Sequence, residues 1–407
     1  MSPSHRYAQP GIGLISVGWM GKLHSRAYQA LPLVYPELKM RPRFVHAADT
    51  AADRADYARE VLGYARVGTD YRDVLDDPDV DVVSICAPNV LHREIGVAAA
   101  RAGKPFWIEK PVGRDAAETA AVAAAARQAG VTTSIGYNYR HVPAVERVRE
   151  LIAAGHLGRI TNVRAVFFNS YAAQPNGALS WRFRRAEAGS GALGDLLSHV
   201  VDLMQYVVAP ITEVSSLLST VYAQRPILPM GSATHFAVIE DGEMGDVEND
   251  DYVAALVRFA PRSGAAGAVG TLEASRVSVG PQCGLGFEIY GTEGSATWNF
   301  EQMNELRLCL GRDGYTTVLG NAGMGDYGRF QPGPGNSMGY DDLKVIEAKK
   351  FLVAVSGGEQ RNSTIAEALA DAEVIAATEA SARDGAWHAV KPVPGATFGH
   401  PQLEIHP

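Results

Sequence analysis

The chain has 407 residues, 46% hydrophobic and 20% charged, a balance that forms a buried core and excludes disordered, collagenous and coiled-coil classes. Lys and Arg number 37 against 45 Asp and Glu, and the formal charge of −8 offers no basic footprint for nucleic acid or an anionic membrane, so a small ligand is expected. Three cysteines, Cys86, Cys283 and Cys309, lack CxxC spacing and predict neither a disulfide framework nor a zinc knuckle; with a polar segment 1–10 and no apolar stretch of membrane-spanning length, a cytoplasmic protein is expected.

Short apolar runs at 12–17, 44–48, 80–87, 105–108 and 132–136 alternate with longer segments, including the Ala-rich 95–102 and 116–129, where alanine favours helix. This is the pattern of a parallel sheet with crossover helices, an α/β domain assigned to 1–140. A helix at 143–154 and the turn Gly155-His156-Leu157-Gly158 change the punctuation. Beyond them, longer alternating runs at 160–168, 213–221, 252–259, 268–275, 287–291 and 296–300 predict a large, mostly antiparallel sheet. With helices at 193–208, 340–355 and 365–383, residues 141–407 form an α+β domain expected to bind substrate and to oligomerise. The acidic stretch 224–251 and the Gly/Pro-rich stretch 320–339 are read as loops.

The first strand runs into Ser16-Val17-Gly18-Trp19-Met20-Gly21 and a helix, a dinucleotide fingerprint with serine at its first glycine. Gly18 admits the pyrophosphate, Gly21 allows close helix packing, and the free N–H groups of Trp19 and Met20 at the helix start face the anion. Asp49 ends the second strand, where a carboxylate accepts from ribose hydroxyls and repels a 2′-phosphate, so NAD is expected over NADP. Arg54 is the counter-signal. The spacing of 28 from Gly21 to Asp49 exceeds the usual figure of about 20, and a Pro-containing insertion (Pro32, Pro36, Pro42) accounts for the excess.

Three clusters follow strands of the first domain: Pro88-Asn89 with His92, Glu109-Lys110-Pro111, and Asn138-Tyr139-Arg140. In an open α/β sheet they converge on the crevice at the carboxyl strand ends. Taken in order with the glycine turn and its following His24, the Gly158-Arg159-Ile160 turn, and Gly194-Asp195 followed by His199, these motifs resemble the glucose-fructose oxidoreductase / inositol 2-dehydrogenase (Gfo/Idh/MocA) family over nearly the whole chain. Within it, 180–183 and 189–195 look most like glycoside-oxidising members. The resemblance implies a Rossmann domain, a second domain whose open sheet mediates dimers or tetramers, a cis Lys110–Pro111 bond, and hydride transfer between NAD(P) and a secondary alcohol of a sugar or cyclitol. It implies a cofactor set of Ser16, Gly18, Trp19, Met20, Gly21, Asp49, Pro88, Asn89, His92, Glu109, Lys110 and Asn138.

Oxidising an alcohol requires a proton acceptor and a positive group at the developing alkoxide. Lys110 suits the second role, His199 has the near-neutral pKa of a base, and Asp195, one helical turn before it, binds substrate or tunes both. Trp181 and Arg182 form an aromatic and donor lid, so the expected substrate set is Lys110, Tyr139, Arg140, Trp181, Arg182, Asp195 and His199. An acidic 240–251 segment could attract an aminosugar, or be a solvated loop. A metal pair from Asp195, His199 and Asp202 finds no further His/Cys ligands, so no metal is expected. The reading is an NAD-dependent sugar, glycoside or cyclitol dehydrogenase, homodimeric or homotetrameric. The alternatives are an NAD-dependent glycosidase acting through transient oxidation and a non-catalytic NAD-sensing protein.

Overall fold

The computed structural model describes residues 8–227, 237–261 and 264–399. Most of the polar 1–10 segment and part of the 224–251 stretch lie outside the described residues. The first sheet has the order β3-β2-β1-β4-β5-β6 and is parallel throughout: β1 (Gly11–Ile15), β2 (Arg43–Ala48), β3 (Arg66–Gly68), β4 (Val82–Ile85), β5 (Phe106–Ile108) and β6 (Thr133–Ile135). Strands β1, β4, β5 and β6 are buried throughout, as both faces of a crossover sheet are covered. The crossovers are α1 (Trp19–Val34), α2 (Ala52–Glu60), α3 (Tyr71–Asp76), α4 (Asn89–Arg101) and α5 (Ala116–Ala129). Asp115 caps α5 by accepting from Glu118 N, and Gly130 closes it in the left-handed conformation.

After α6 (Pro143–Ala153) comes the second sheet. It contains β7 (Ile160–Phe168), β8 (Ile211–Ser219), β11 (Tyr252–Phe259), β12 (Val269–Ser275), β13 (Gly284–Gly291), β14 (Gly294–Asn299), β15 (Glu305–Leu310), β16 (Thr316–Leu319) and β17 (His388–Ala389). Its order is β16-β15-β14-β13-β7-β12-β11-β8-β17, antiparallel except for the β7/β12 pair. A separate hairpin, β9 (Gln224–Pro226) with β10 (Met244–Asp246), lies within the stretch read as a loop. The inner face packs on α6 and α7 (Ser198–Val207) around Phe167, Val200, Leu272 and Phe287.

The last two helices return to the first sheet. In α8 (Tyr340–Val355), Val345, Ala348, Phe351 and Leu352 join Ile12, Leu31 and Trp107 on the α1 face. From α9 (Ile365–Asp384), Ile365 and Ala368 join the opposite core with Ile85, Ile108 and Val122. Burying these apolar faces at about 25 cal/mol per Å² clamps the second sheet over the strand ends of the first. Among the described residues, no helix is long and apolar enough to cross a membrane.

Candidate active site

The glycine turn forms despite its serine. Ser16 sits at φ 72°, the left-handed region a glycine would occupy without cost, and its N–H donates to Ala48 O. A Cβ on Gly21 would collide with the Ser16 carbonyl, so close packing of α1 requires glycine there. A Cβ on Gly18 would meet only Ser16 Oγ, at 3.9 Å, which leaves the α1 N-terminus open to an anion. The buried Asp49 carboxylate braces this turn: Oδ2 accepts from Val17 N at 2.7 Å and Oδ1 from Ala51 N at 3.0 Å. Arg54 Nη1 lies 3.8 Å from Oδ2, half exposed. The buried Asn138 Nδ2, just past β6, has no hydrogen-bond partner among the described residues. An open anion cradle, an acid at the β2 end and an unspent amide donor fit a dinucleotide.

At the end of β5 the Lys110–Pro111 bond is cis. Lys110 Nζ donates to Asp195 Oδ1 at 2.9 Å and to Asp195 O at 2.8 Å. Asp195 Oδ2 accepts from Tyr171 OH at 3.0 Å and Arg182 Nη1 at 3.3 Å. Burial alone would raise the Asp195 pKa, but Lys110 and then Arg182 hold it well below the carboxylate range. Asp195 lies in a π-helical turn, Leu193–Leu197, that leads into α7. Asp250 fastens this turn by accepting from Gly191 N and Leu193 N at 2.8 and 2.7 Å.

His199 lies buried in α7, with the Tyr139 ring edge-on at 4.9 Å and Phe167 and Tyr137 at 5.9 and 5.8 Å. Its Nδ1 has no hydrogen-bond partner among the described residues. Burial and the Lys110 charge push its pKa well below the ordinary value, against the near-neutral value expected from sequence. At neutral pH the imidazole is therefore uncharged and able to accept a proton.

Several expected contacts are displaced from the site. Arg140 is buried in a two-way ion pair, with Nε 2.8 Å from Asp202 Oδ2 and Nη1 2.7 Å from Glu367 Oε2, so its donors serve the domain junction and not a substrate. That pairing also removes Asp202 from any metal set. Tyr139 is buried with its hydroxyl 3.8 Å from Cys283 Sγ, and backs His199 without presenting a polar group to the pocket. Both ring nitrogens of His92 lie 2.7 Å from backbone carbonyls of Ala87 and Pro111, which makes it a brace between two loops and leaves no nitrogen for the cofactor. Glu109 is likewise turned inward, 2.9 Å from His24 Nε2 and 2.6 Å from Lys344 Nζ. Asn89 reaches across to Ala188 O at 3.4 Å. Arg182 reaches Asp195, and its guanidinium lies 4.7 Å from the Trp181 ring.

The acidic stretch is not wholly solvated. Asn249, Asp250 and Asp251 are buried, and Asp251 pairs with Arg276 at 2.8 Å. Sequence reasoning passed over Lys344 and Glu347, whose i, i+3 pairing reads as a solvated helix face. It also passed over Tyr340, which stacks on Trp19 with ring centroids 5.8 Å apart.

Residues 11–137 match the family described as oxidoreductase, NAD-binding Rossmann fold, and residues 145–297 match the GFO/IDH/MocA C-terminal domain. The chain belongs to the GFO/IDH/MocA oxidoreductases, and is an NAD-binding dehydrogenase acting on CH–OH groups. It is 38% identical to levoglucosan dehydrogenase from Pseudarthrobacter phenanthrenivorans over 92% of this chain and 97% of that protein. A levoglucosan dehydrogenase structure in complex with NADH and levoglucosan superposes with a TM-score of 0.87 at 35% identity, covering 94% of this chain and 100% of that one. Myo-inositol 2-dehydrogenase from Thermotoga maritima is 25% identical over 70% of this chain and 73% of its own length.

Proposed function

We propose that this dehydrogenase oxidises a secondary hydroxyl of a neutral sugar or glycoside, with Lys110, Asp195 and His199 as its catalytic residues. The observation that carries the reading is the Lys110–Asp195 pair at the end of β5, flanked by the Tyr171 and Arg182 donors and by an uncharged His199. The likeness to a protein named for levoglucosan, an anhydro-sugar, supports a pyranoside substrate. NAD, when bound, supplies the hydride acceptor; Ser16, Gly18, Trp19, Met20, Gly21, Asp49 and Asn138 would hold it. His199 takes the hydroxyl proton, and the Lys110 ammonium stabilises the alkoxide as it develops. Asp195 keeps Lys110 directed at that oxygen, and accepts from a neighbouring hydroxyl. Trp181 offers a ring face to the sugar, and Arg182 donates to it. We place the unit boundary at 140/141, where the strand ends of the first sheet meet the substrate side.

Lys110→Ala tests the reading. It should lower kcat and kcat/KM together by about 10² to 10⁴ while NADH binding by fluorescence titration stays near wild type, because the glycine turn and Asp49 hold the far end of the cofactor. Retained kcat in Lys110→Ala overturns it. Product analysis should show a ketone with one NADH per turnover; free sugar with NAD recycled would make the chain a glycosidase instead.

A further inference from the structure

Behind Lys110 lies a charge cluster that the proposed chemistry does not use. Lys344, on α8, is fully buried; its ammonium sits 2.6 Å from Glu109 Oε1 and 2.9 Å from Glu347 Oε2. His24 Nε2 is 2.9 Å from the same Glu109 oxygen, and the His24 ring stacks on Trp107 at 3.4 Å. Gly136 closes the remaining side, since a Cβ there would strike the Glu109 carboxylate. Buried ion clusters contribute little net stability because desolvation offsets their attraction, so stability alone is a weak account of this one.

Its place in the fold gives a better account. Strand β5 ends at Ile108, and past it Glu109 N donates to Ile85 O. Glu109 sends its side chain inward to the cluster, while the next residue sends its ammonium to Asp195. The side chain of Glu109 is thus the anchor for the chain segment that carries Lys110. One turn before Lys344, Tyr340 stacks on Trp19 of the glycine turn, so a single face of α8 touches both the cofactor turn and the base of the Lys110 segment.

We propose that Lys344 is a positioning residue for the dehydrogenase reaction, fixing Glu109 and thereby the aim of Lys110 at the reacting oxygen. The inference rests on the catalytic reading of Lys110. Misplacing a reacting group by about 1 Å costs on the order of 10²-fold in rate. Lys344→Met removes the contact, and Lys344→Gln, which retains an amide donor and strands Glu109 less severely, keeps the question answerable if the first variant does not fold. Folded Lys344→Met should show kcat lowered about 10- to 10²-fold with NADH affinity within about twofold of wild type, and Lys344→Gln should lose less.

A second readout needs neither cofactor nor substrate. Glu109 and Lys344 are the charged groups facing His24, and burial, with Lys344 in part opposing Glu109, holds its pKa down at about 4. In the cofactor-free variants the His24 imidazole, followed by NMR, should titrate at a higher pH. A raised His24 midpoint with wild-type kcat overturns the positioning role, because the contact would be broken without consequence. An unmoved midpoint in both variants overturns the contact itself. Should Lys110→Ala retain activity, the catalytic reading falls while the His24 shift stands, so the two failures are distinct.

Discussion

At the level of single residues, burial decides what the titratable groups can do. Burial disfavours the charged His199 imidazole and the nearby Lys110 charge adds to the effect, so His199 is neutral at neutral pH. A base whose pKa is lowered stays competent at lower pH. The acidic limb of kcat/KM is therefore expected below the ordinary histidine value of 6.5, and His199→Ala should remove it. A wild-type limb at 6.5 or above in the pH–rate profile would contradict this. Asp49 acts through charge and position: its carboxylate ends β2 beneath the glycine turn, where a 2′-phosphate would meet it. NAD should bind more tightly than NADP in direct titrations, and Asp49→Ser should narrow the gap; equal affinities in the wild type would assign Arg54 to the phosphate.

Among the elements, α8 carries the most unusual load, since it supplies both an apolar face to the first sheet and a buried cation to the Glu109 box. Its Glu347 is pushed up to about 7 by burial, with Lys344 only partly opposing. A carboxyl whose folded pKa is raised keeps its proton to higher pH than the unfolded chain does, so native stability is lost as pH rises from about 4.5 to about 7 and stays low above that. Glu347→Gln should accordingly raise the melting temperature at pH 8 relative to wild type, with the difference vanishing near pH 4. A variant less stable than wild type at pH 8 would show that the ionised Glu347–Lys344 pair is net favourable. The π-helical turn Leu193–Leu197 is a comparable case, because it widens the helix where Asp195 must reach Lys110, and Asp250 caps it from a distant loop.

For the whole molecule, the second sheet poses the remaining question. One face is packed, and the other leaves Leu217, Leu256, Val269 and Trp387 at 42 to 55% exposure. We propose that a second copy covers this face, since exposed apolar residues spread over the adjacent strands β8, β11 and β12 are better buried than solvated. Sedimentation should show a dimer or tetramer at micromolar concentration, and Leu256→Glu should dissociate it without unfolding; a monomeric wild type refutes this.

Periodicity and turn chemistry were enough to read the parallel sheet, the long strands β7, β11 and β12, the nucleotide turn and the motif residues Lys110, Asp195 and His199, because these depend on local propensity and on motifs contiguous in sequence. The short strands β3 and β16 carry too few residues for an alternation to register, whereas β15 alternates over six residues and was passed over. What the tertiary structure alone decided is which polar groups were spent. Arg140, His92 and Glu109 stand in the right motifs, yet their donors and acceptors are taken by Asp202, by two carbonyls and by Lys344, partners 62, 5 to 19 and 235 residues away. Desolvation and pairing across such separations leave no trace in a window of sequence, so a buried Lys344–Glu347 pair and a solvated one are written in the same letters, and only the packing of α8 against β5 tells them apart.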